Sequence, residues 1–135
     1  MERYASLSLW HEGVRNDLTP RSPLNEKDLA TEWDVIILGA GYTGLWTALA
    51  IAEQDSSRRV LIIEKEIAGF GASGRNGGWV SALFPTSTSA LVERHGAEKA
   101  TALRKAMVDC VPSVGRWATK LGINCDFEQG GTVTL

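Results

Sequence analysis

Residues 34–64, DVIILGAGYTGLWTALAIAEQDSSRRVLIIE, decide the fold. Val35, Ile36, Ile37 and Leu38 form an apolar run of strand length, and GAGYTG follows at residues 39–44. A small-residue helical segment then leads to a second apolar run, Val60, Leu61, Ile62 and Ile63, which ends in Glu64. Strand, glycine turn, helix, strand and acid, in that order, are what a dinucleotide-binding crossover requires. The glycines alone are a common pattern. The flanking strands and the acid make them specific.

Each position has a physical task. Gly39 lets the chain turn sharply off the first strand, Gly41 has no side chain to block a pyrophosphate, and Gly44 lets the helix sit close to the sheet. Leu45, Ala48, Leu49 and Ala52 fall at the i, i+3, i+4, i+7 spacing of one buried helix face. The helix start aims unpaired amides and the positive end of its dipole at phosphates. Glu64 lies 20 residues after Gly44, the separation at which an acid at the end of the second strand accepts bonds from a ribose 2′-hydroxyl. A carboxylate there repels a 2′-phosphate, which favours FAD or NAD over NADP, while Arg58, Arg59 and Lys65 oppose complete exclusion. The alternative is a glycine turn without a ligand, and it accounts for neither the acid nor the helix spacing.

AGFGASGRNGGW follows at residues 68–79, with glycines at 69, 71, 74, 77 and 78 and with Ser73, Arg75 and Asn76 among them. A nicotinamide dehydrogenase would pass quickly into another helix here. A long polar loop beside the crevice can instead lay backbone amides and short polar side chains along an extended ligand. A flexible surface linker has the same composition and stands as the other reading.

GAGYTG, the pair Glu64 and Lys65, and GFGASGRNGGW together resemble the FAD-dependent oxidoreductases of the D-amino-acid oxidase type, in particular the γ-glutamylputrescine oxidase-like branch. The resemblance runs from about Ser8 to the last residue and includes Ser8, Leu9 and Trp10. It implies an α/β fold with a Rossmann-like βαβ FAD-binding domain. Gly39, Gly41, Tyr42, Thr43 and Gly44 would hold the pyrophosphate, Glu64 the adenosine ribose, and Lys65 would flank the adenine. Ser73, Gly74, Arg75, Asn76 and Gly77 would pass the pyrophosphate and ribityl chain toward the isoalloxazine. Trp79 is either a residue of the flavin end or a buried core tryptophan. Residues 68–79 contain no histidine or cysteine, so the expected cofactor is non-covalent FAD.

The family's chemistry is oxidation of a C–N bond in an amine or amino acid, with hydride transfer from the carbon bearing the nitrogen to FAD. The expected partners are a small-molecule amine substrate and the remainder of the same polypeptide beyond residue 135. A substrate domain rich in antiparallel strands would lie there, so the chain reads as an N-terminal portion that is inactive alone. No catalytic residue is assigned within it. Two other functions stay open, an NAD-dependent dehydrogenase and a dinucleotide-binding module without turnover.

Three regions are expected: an N-terminal arm over residues 1–33, an FAD-binding portion over 34–122, and the start of substrate-domain strands over 123–135. The arm carries a turn-rich stretch at residues 19–23 and reads as an extended segment, with Trp10 and Trp33 available to pin it. Pro85 and residues 86–89 introduce a helical region that Gly96 divides into a short helix and a longer one. Leu103, Met107, Cys110, Val114, Trp117 and Leu121 form the apolar stripe of the longer helix. Lys120 and Gly122 supply its stop, and Pro112 should kink or restart it. Residues 125–127 and 132–135 flank Gly130 and Gly131 as a hairpin.

A net charge of −2 and a pI near 5.7 give no basic field for nucleic acid or anionic membrane. The apolar runs are only a few residues long, where a spanning helix needs about 20. No signal peptide is visible, and a cytoplasmic location is expected. Cys110 and Cys125 are too far apart for a CxxC motif and are expected to be free and buried. His11 and His95 are expected to be solvated surface residues.

Overall fold

The computed structural model describes residues 2–131. Two compact units divide the chain, Met1–Gly77 and Gly78–Leu135. The expected portion over residues 34–122 is therefore shared between them.

The first unit opens with α1 (Glu2–Ala5), α2 (Leu9–Gly13) and α3 (Glu26–Ala30). The arm is thus folded rather than extended. Each of its helices is about one turn long, too short to display a hydrophobic period. Caps define them instead. The Ser8 side chain accepts from the His11 amide at the start of α2, and Asn25 with Asp28 forms a reciprocal capping box on α3. Tyr4 and Leu18 from the arm bury against Ile67, with Leu7 and Phe70 packed around them. The Tyr4 and Phe70 rings meet edge to face at 6.2 Å, and the Tyr4 hydroxyl donates to Glu66 at 2.9 Å. Trp10 donates to the Asn76 carbonyl at 2.7 Å, so it does pin the arm. Trp33 bonds within the arm, to the Asp28 carbonyl.

Next comes the crossover. β1 (Val35–Leu38) and β2 (Val60–Ile63) pair in parallel, with Val35 opposite Val60 and Leu38 opposite Ile63, and α4 (Tyr42–Gln54) connects them. Asp34 fixes this register from the entry side. Its amide donates to the Arg59 carbonyl at 3.0 Å, and its carboxylate accepts from the Arg59 amide at 2.8 Å. That amide bond is the main cause holding the Asp34 carboxyl below its ordinary range. At the other end, Gly39 turns with φ +98° and donates to the Ile63 carbonyl at 2.7 Å. Asp55 organises the return turn by accepting from Ser57 and Arg58.

Gly44 is the contact point between helix and strand. A Cβ there would overlap the Gly39 carbonyl and lie 3.2 Å from Ile37 Cγ2. The expected helix face is realised only at its middle: Ala48 and Leu49 are half-buried, whereas Ala52 is exposed and Leu45 is 42% exposed. Two strands set about 5 Å apart are narrower than a helix, so the edges of that face stay open. Ile36 and Leu38 are open on β1 for the same reason, at 54% and 80% exposure.

The second unit is a helical hairpin. Ser87 caps α5 (Thr88–His95), Gly96 reverses the chain with φ +83°, and α6 (Ala97–Lys120) follows. The buried line of α6 is Ala100 and Ala118 with half-buried Leu103, Met107, Val111 and Val114 between them. Cys110 and Leu121, expected in that line, are exposed, and both cysteines are free thiols at the surface. Small alanines rather than bulky apolar residues are the most buried positions of this line. Pro112 lies inside α6 without ending it; the loss of one helical hydrogen bond is outweighed by packing. The stop expected at Gly122 is present. Its φ is +64°, and its amide and that of Ile123 return to the carbonyls of Thr119 and Ala118, a Schellman closure.

No strand forms at residues 125–127. Phe127 folds back onto α6 instead, where a Cβ on Gly115 would lie 2.5 Å from its ring. The second arm of the expected hairpin, residues 132–135, lies outside the described residues. Among the described residues no helix is long and apolar enough to cross a membrane.

Gly44→Ala tests the helix-to-strand contact. Intrinsic helix preference favours alanine by about 1 kcal/mol, so a simple propensity effect would stabilise. Overlap with the Gly39 carbonyl predicts instead a net loss of roughly 1–3 kcal/mol in chemical denaturation.

Candidate functional site

The glycine turn and the second glycine loop converge on the start of α4. Gly41 is the helix N-cap and offers no side chain to the first-turn amides. The Tyr42 amide donates to Ser73 Oγ at 3.0 Å, the Leu45 amide to the Gly41 carbonyl, and Ala40 N–H to Glu64 Oε2 at 2.8 Å. Among the described residues, the amides of Gly41, Thr43 and Gly44 meet no protein acceptor. Unpaired amides at the positive end of a helix form an anion site.

Glycine at position 41 also bears on the placing of the second loop. A Cβ there would lie 2.9 Å from Ser73 Oγ, so the residue that leaves the backbone bare also makes room for the second loop. That loop is ordered by its own bonds rather than left as a linker. Asn76 Nδ2 donates to the Ser73 carbonyl at 2.6 Å and to the Tyr42 hydroxyl at 3.0 Å. Arg75 donates from Nε to the Phe70 carbonyl at 2.9 Å and lies over the Phe70 ring at 4.8 Å. Gly74 is close-packed, since a Cβ would overlap the Gly69 carbonyl and meet His11 Cε1 at 2.5 Å.

Glu64 is bound to this assembly. Its Oε2 takes the Ala40 amide and its Oε1 takes the Glu66 amide at 3.0 Å. The Ala40 bond is the leading reason its carboxyl is held below the ordinary value of 4.5, with burial opposing. Lys65 is exposed, and its backbone amide adds to the donors around Glu64.

The expected site residues fall into two groups. Gly39, Gly41, Tyr42, Thr43, Gly44, Glu64, Ser73, Gly74 and Asn76 come together around the turn and the loop. Lys65, Arg75 and Gly77 sit at its margin, exposed to solvent. Trp79 is 92% exposed, so the core reading of that tryptophan is overturned. His11 is corrected as well: it is 4% exposed and packs beneath Gly74. Ser8 Oγ lies 2.7 Å from its Nδ1, but its cover comes from Gly74, far along the chain.

The chain matches the FAD dependent oxidoreductase family (DAO) over residues 34–135. It belongs to that family. Its relatives include the gamma-glutamylputrescine oxidoreductase of Escherichia coli K12, 32% identical over 124 residues, which cover 92% of this chain and 28% of that protein. The probable oxidoreductase OrdL of Haemophilus influenzae is 33% identical over 97 residues, 72% of this chain and 22% of that protein. The sarcosine oxidase subunit beta of Rhizobium meliloti is 35% identical over 74 residues, 55% of this chain and 18% of that protein. The chain therefore spans about a quarter of the length of the curated relatives it matches. No solved structure matches it significantly.

FAD is the family's cofactor, and the site suits it. Unpaired amides at α4, a bare Gly41 and a hydroxyl from the second loop supply donors for a pyrophosphate without a clashing side chain.

The carboxylate bonds predict a pH signature. Because the folded-state pKa of Glu64 is lowered, its stabilising effect is complete above about 4.5 and is lost as the pH falls through the lower folded value. Chemical denaturation of wild type and Glu64→Gln should differ by a constant amount from pH 7 to 5, and the difference should shrink below about pH 4.5.

Proposed function

We propose that this chain forms the Rossmann-like FAD-binding portion of a flavoenzyme that oxidises a C–N bond in an amine or amino acid. The observation that carries the reading is the bond from the Tyr42 amide to Ser73 Oγ. It brings the second glycine loop to the start of α4, where a dinucleotide's pyrophosphate would lie.

In this reading the amides of Gly41, Thr43 and Gly44 bind the pyrophosphate, and Ser73 supplies a hydroxyl beside them. Glu64 retains lone pairs beyond those bonded to Ala40 and Glu66, so a ribose hydroxyl adds to the existing pattern without displacing it. Lys65 flanks the adenine, and residues 74–77 guide the ribityl chain. When bound, FAD supplies a two-electron acceptor for hydride from the carbon bearing the nitrogen. The absence of histidine and cysteine within residues 68–79 supports non-covalent attachment.

Substrate selection belongs to the same proposal, since the chain matches only 28% of the Escherichia coli relative. A strand-rich domain in further polypeptide would bind the amine and cover the open apolar side chains of β1. On that basis this portion alone is inactive. Both described thiols being free supports a reducing, cytoplasmic setting.

Gly41→Val tests the site. The branched side chain would press on Ser73 Oγ and cover the helix start, and flavin content of the purified full-length variant should fall to background. Glu64→Ala should weaken FAD binding by ~1.5–3 kcal/mol, the usual scale for a bond to a charged group. A colourless wild-type protein that binds NAD would overturn the reading.

A further inference from the structure

His11 is the one polar or charged residue in the buried class among the described residues, and neither glycine motif contains it. We propose that Ser8, Trp10 and His11 form a clamp that sets the conformation of residues 73–77, making His11 a positioning residue for FAD binding. The inference rests on those residues being the part of the site that faces FAD.

Donor logic fixes the clamp's internal order. The Gly74 carbonyl can only accept, so Ser8 Oγ, 2.6 Å away, donates its hydrogen there. The same oxygen lies 2.7 Å from His11 Nδ1. Its only hydrogen being committed, that bond runs from Nδ1–H to Oγ, whatever the state of Nε2. The His11 amide, at 3.3 Å, supplies the second bond that Oγ accepts. Ser8 is then saturated. The imidazole is turned so that Cε1 and Nε2 press on the Gly74 backbone at the place a Cβ would occupy. Two residues along the loop, Trp10 Nε1 donates to the Asn76 carbonyl at 2.7 Å.

One turn of α2 thus satisfies the carbonyls of both Gly74 and Asn76. Carbonyl oxygens facing a pyrophosphate would repel it. Committing them to the arm leaves the Ser73 hydroxyl and the α4 amides as the groups offered to an anion. An apolar side chain could fill the volume of His11, but it could not donate to Ser8.

The test uses the full chain and two readouts, amide hydrogen exchange of residues 74–77 without ligand and the FAD dissociation constant. Ser8→Ala and His11→Phe should each speed exchange and raise the dissociation constant about tenfold, the scale of one buried hydrogen bond. The double variant should be no worse than either single one, because both break the same relay. His11→Asn places an amide donor near the position of Nδ1 and should recover most of the loss. Should His11→Phe fail to fold, Ser8→Ala carries the same comparison against Ser8→Thr. Unchanged exchange in Ser8→Ala and His11→Phe overturns the clamp. Faster exchange with unchanged FAD affinity overturns its role toward FAD, whereas failure of the site reading itself appears separately, as unchanged flavin content in Gly41→Val.

Discussion

The peptide groups of Ala40 hold the site together. Ala40 is 5% exposed, so neither its amide nor its carbonyl can rely on bulk water. The amide donates to Glu64 at 2.8 Å, and the carbonyl accepts from Gly69 at 2.9 Å. One residue in the glycine turn is therefore bonded to the end of β2 and to the loop that follows. Breaking either bond would leave a buried polar group unsatisfied, a cost of about 1–3 kcal/mol. The turn, the acid and the second loop consequently behave as one structural unit.

The crossover was legible in the sequence because each part has a short-range cause. Four apolar residues make a strand, glycine permits φ +98° at Gly39, and Gly44 removes a Cβ that would strike the Gly39 carbonyl. Ser73 was legible as a residue of the second glycine loop, but its bond to the Tyr42 amide links positions 31 apart, and no local pattern encodes that. The buried state of His11 was hidden for the same reason: its cover comes from Gly74, far along the chain. Helices of one turn in the arm have no period to read, only caps, and the NEKD capping box at residues 25–28 was the available sign. Phe127 lies against Gly115 because a glycine on α6 opens a notch, a tertiary effect that no local pattern marks.

Exposure along the crossover has a physical meaning. Parallel sheets are normally covered on both faces, since their strands are apolar throughout. Here every residue of β2 is half-buried, while β1 alternates between half-buried and exposed. The same sequence run would be apolar on both faces in a wider sheet. A strand of four consecutive apolar residues is therefore fully used only where a second layer packs on Ile36 and Leu38.

Acid and anion can share one turn because the acid's charge is already engaged. Glu64 beside an amide-lined phosphate site would, as a bare carboxylate, oppose the binding of a pyrophosphate. Its bonds to the Ala40 and Glu66 amides orient those two dipoles toward the carboxylate, which lowers its pKa and offsets its field near the turn. Under the proposed function, the amides of Gly41, Thr43 and Gly44 would be left for the anion. Under the same proposal, fixing the acid by backbone bonds would keep it charged for a ribose hydroxyl while limiting its repulsion of neighbouring phosphates. The separation of 20 residues between Gly44 and Glu64 then reflects two constraints: the length of helix and strand, and the need to return a carboxylate to Ala40.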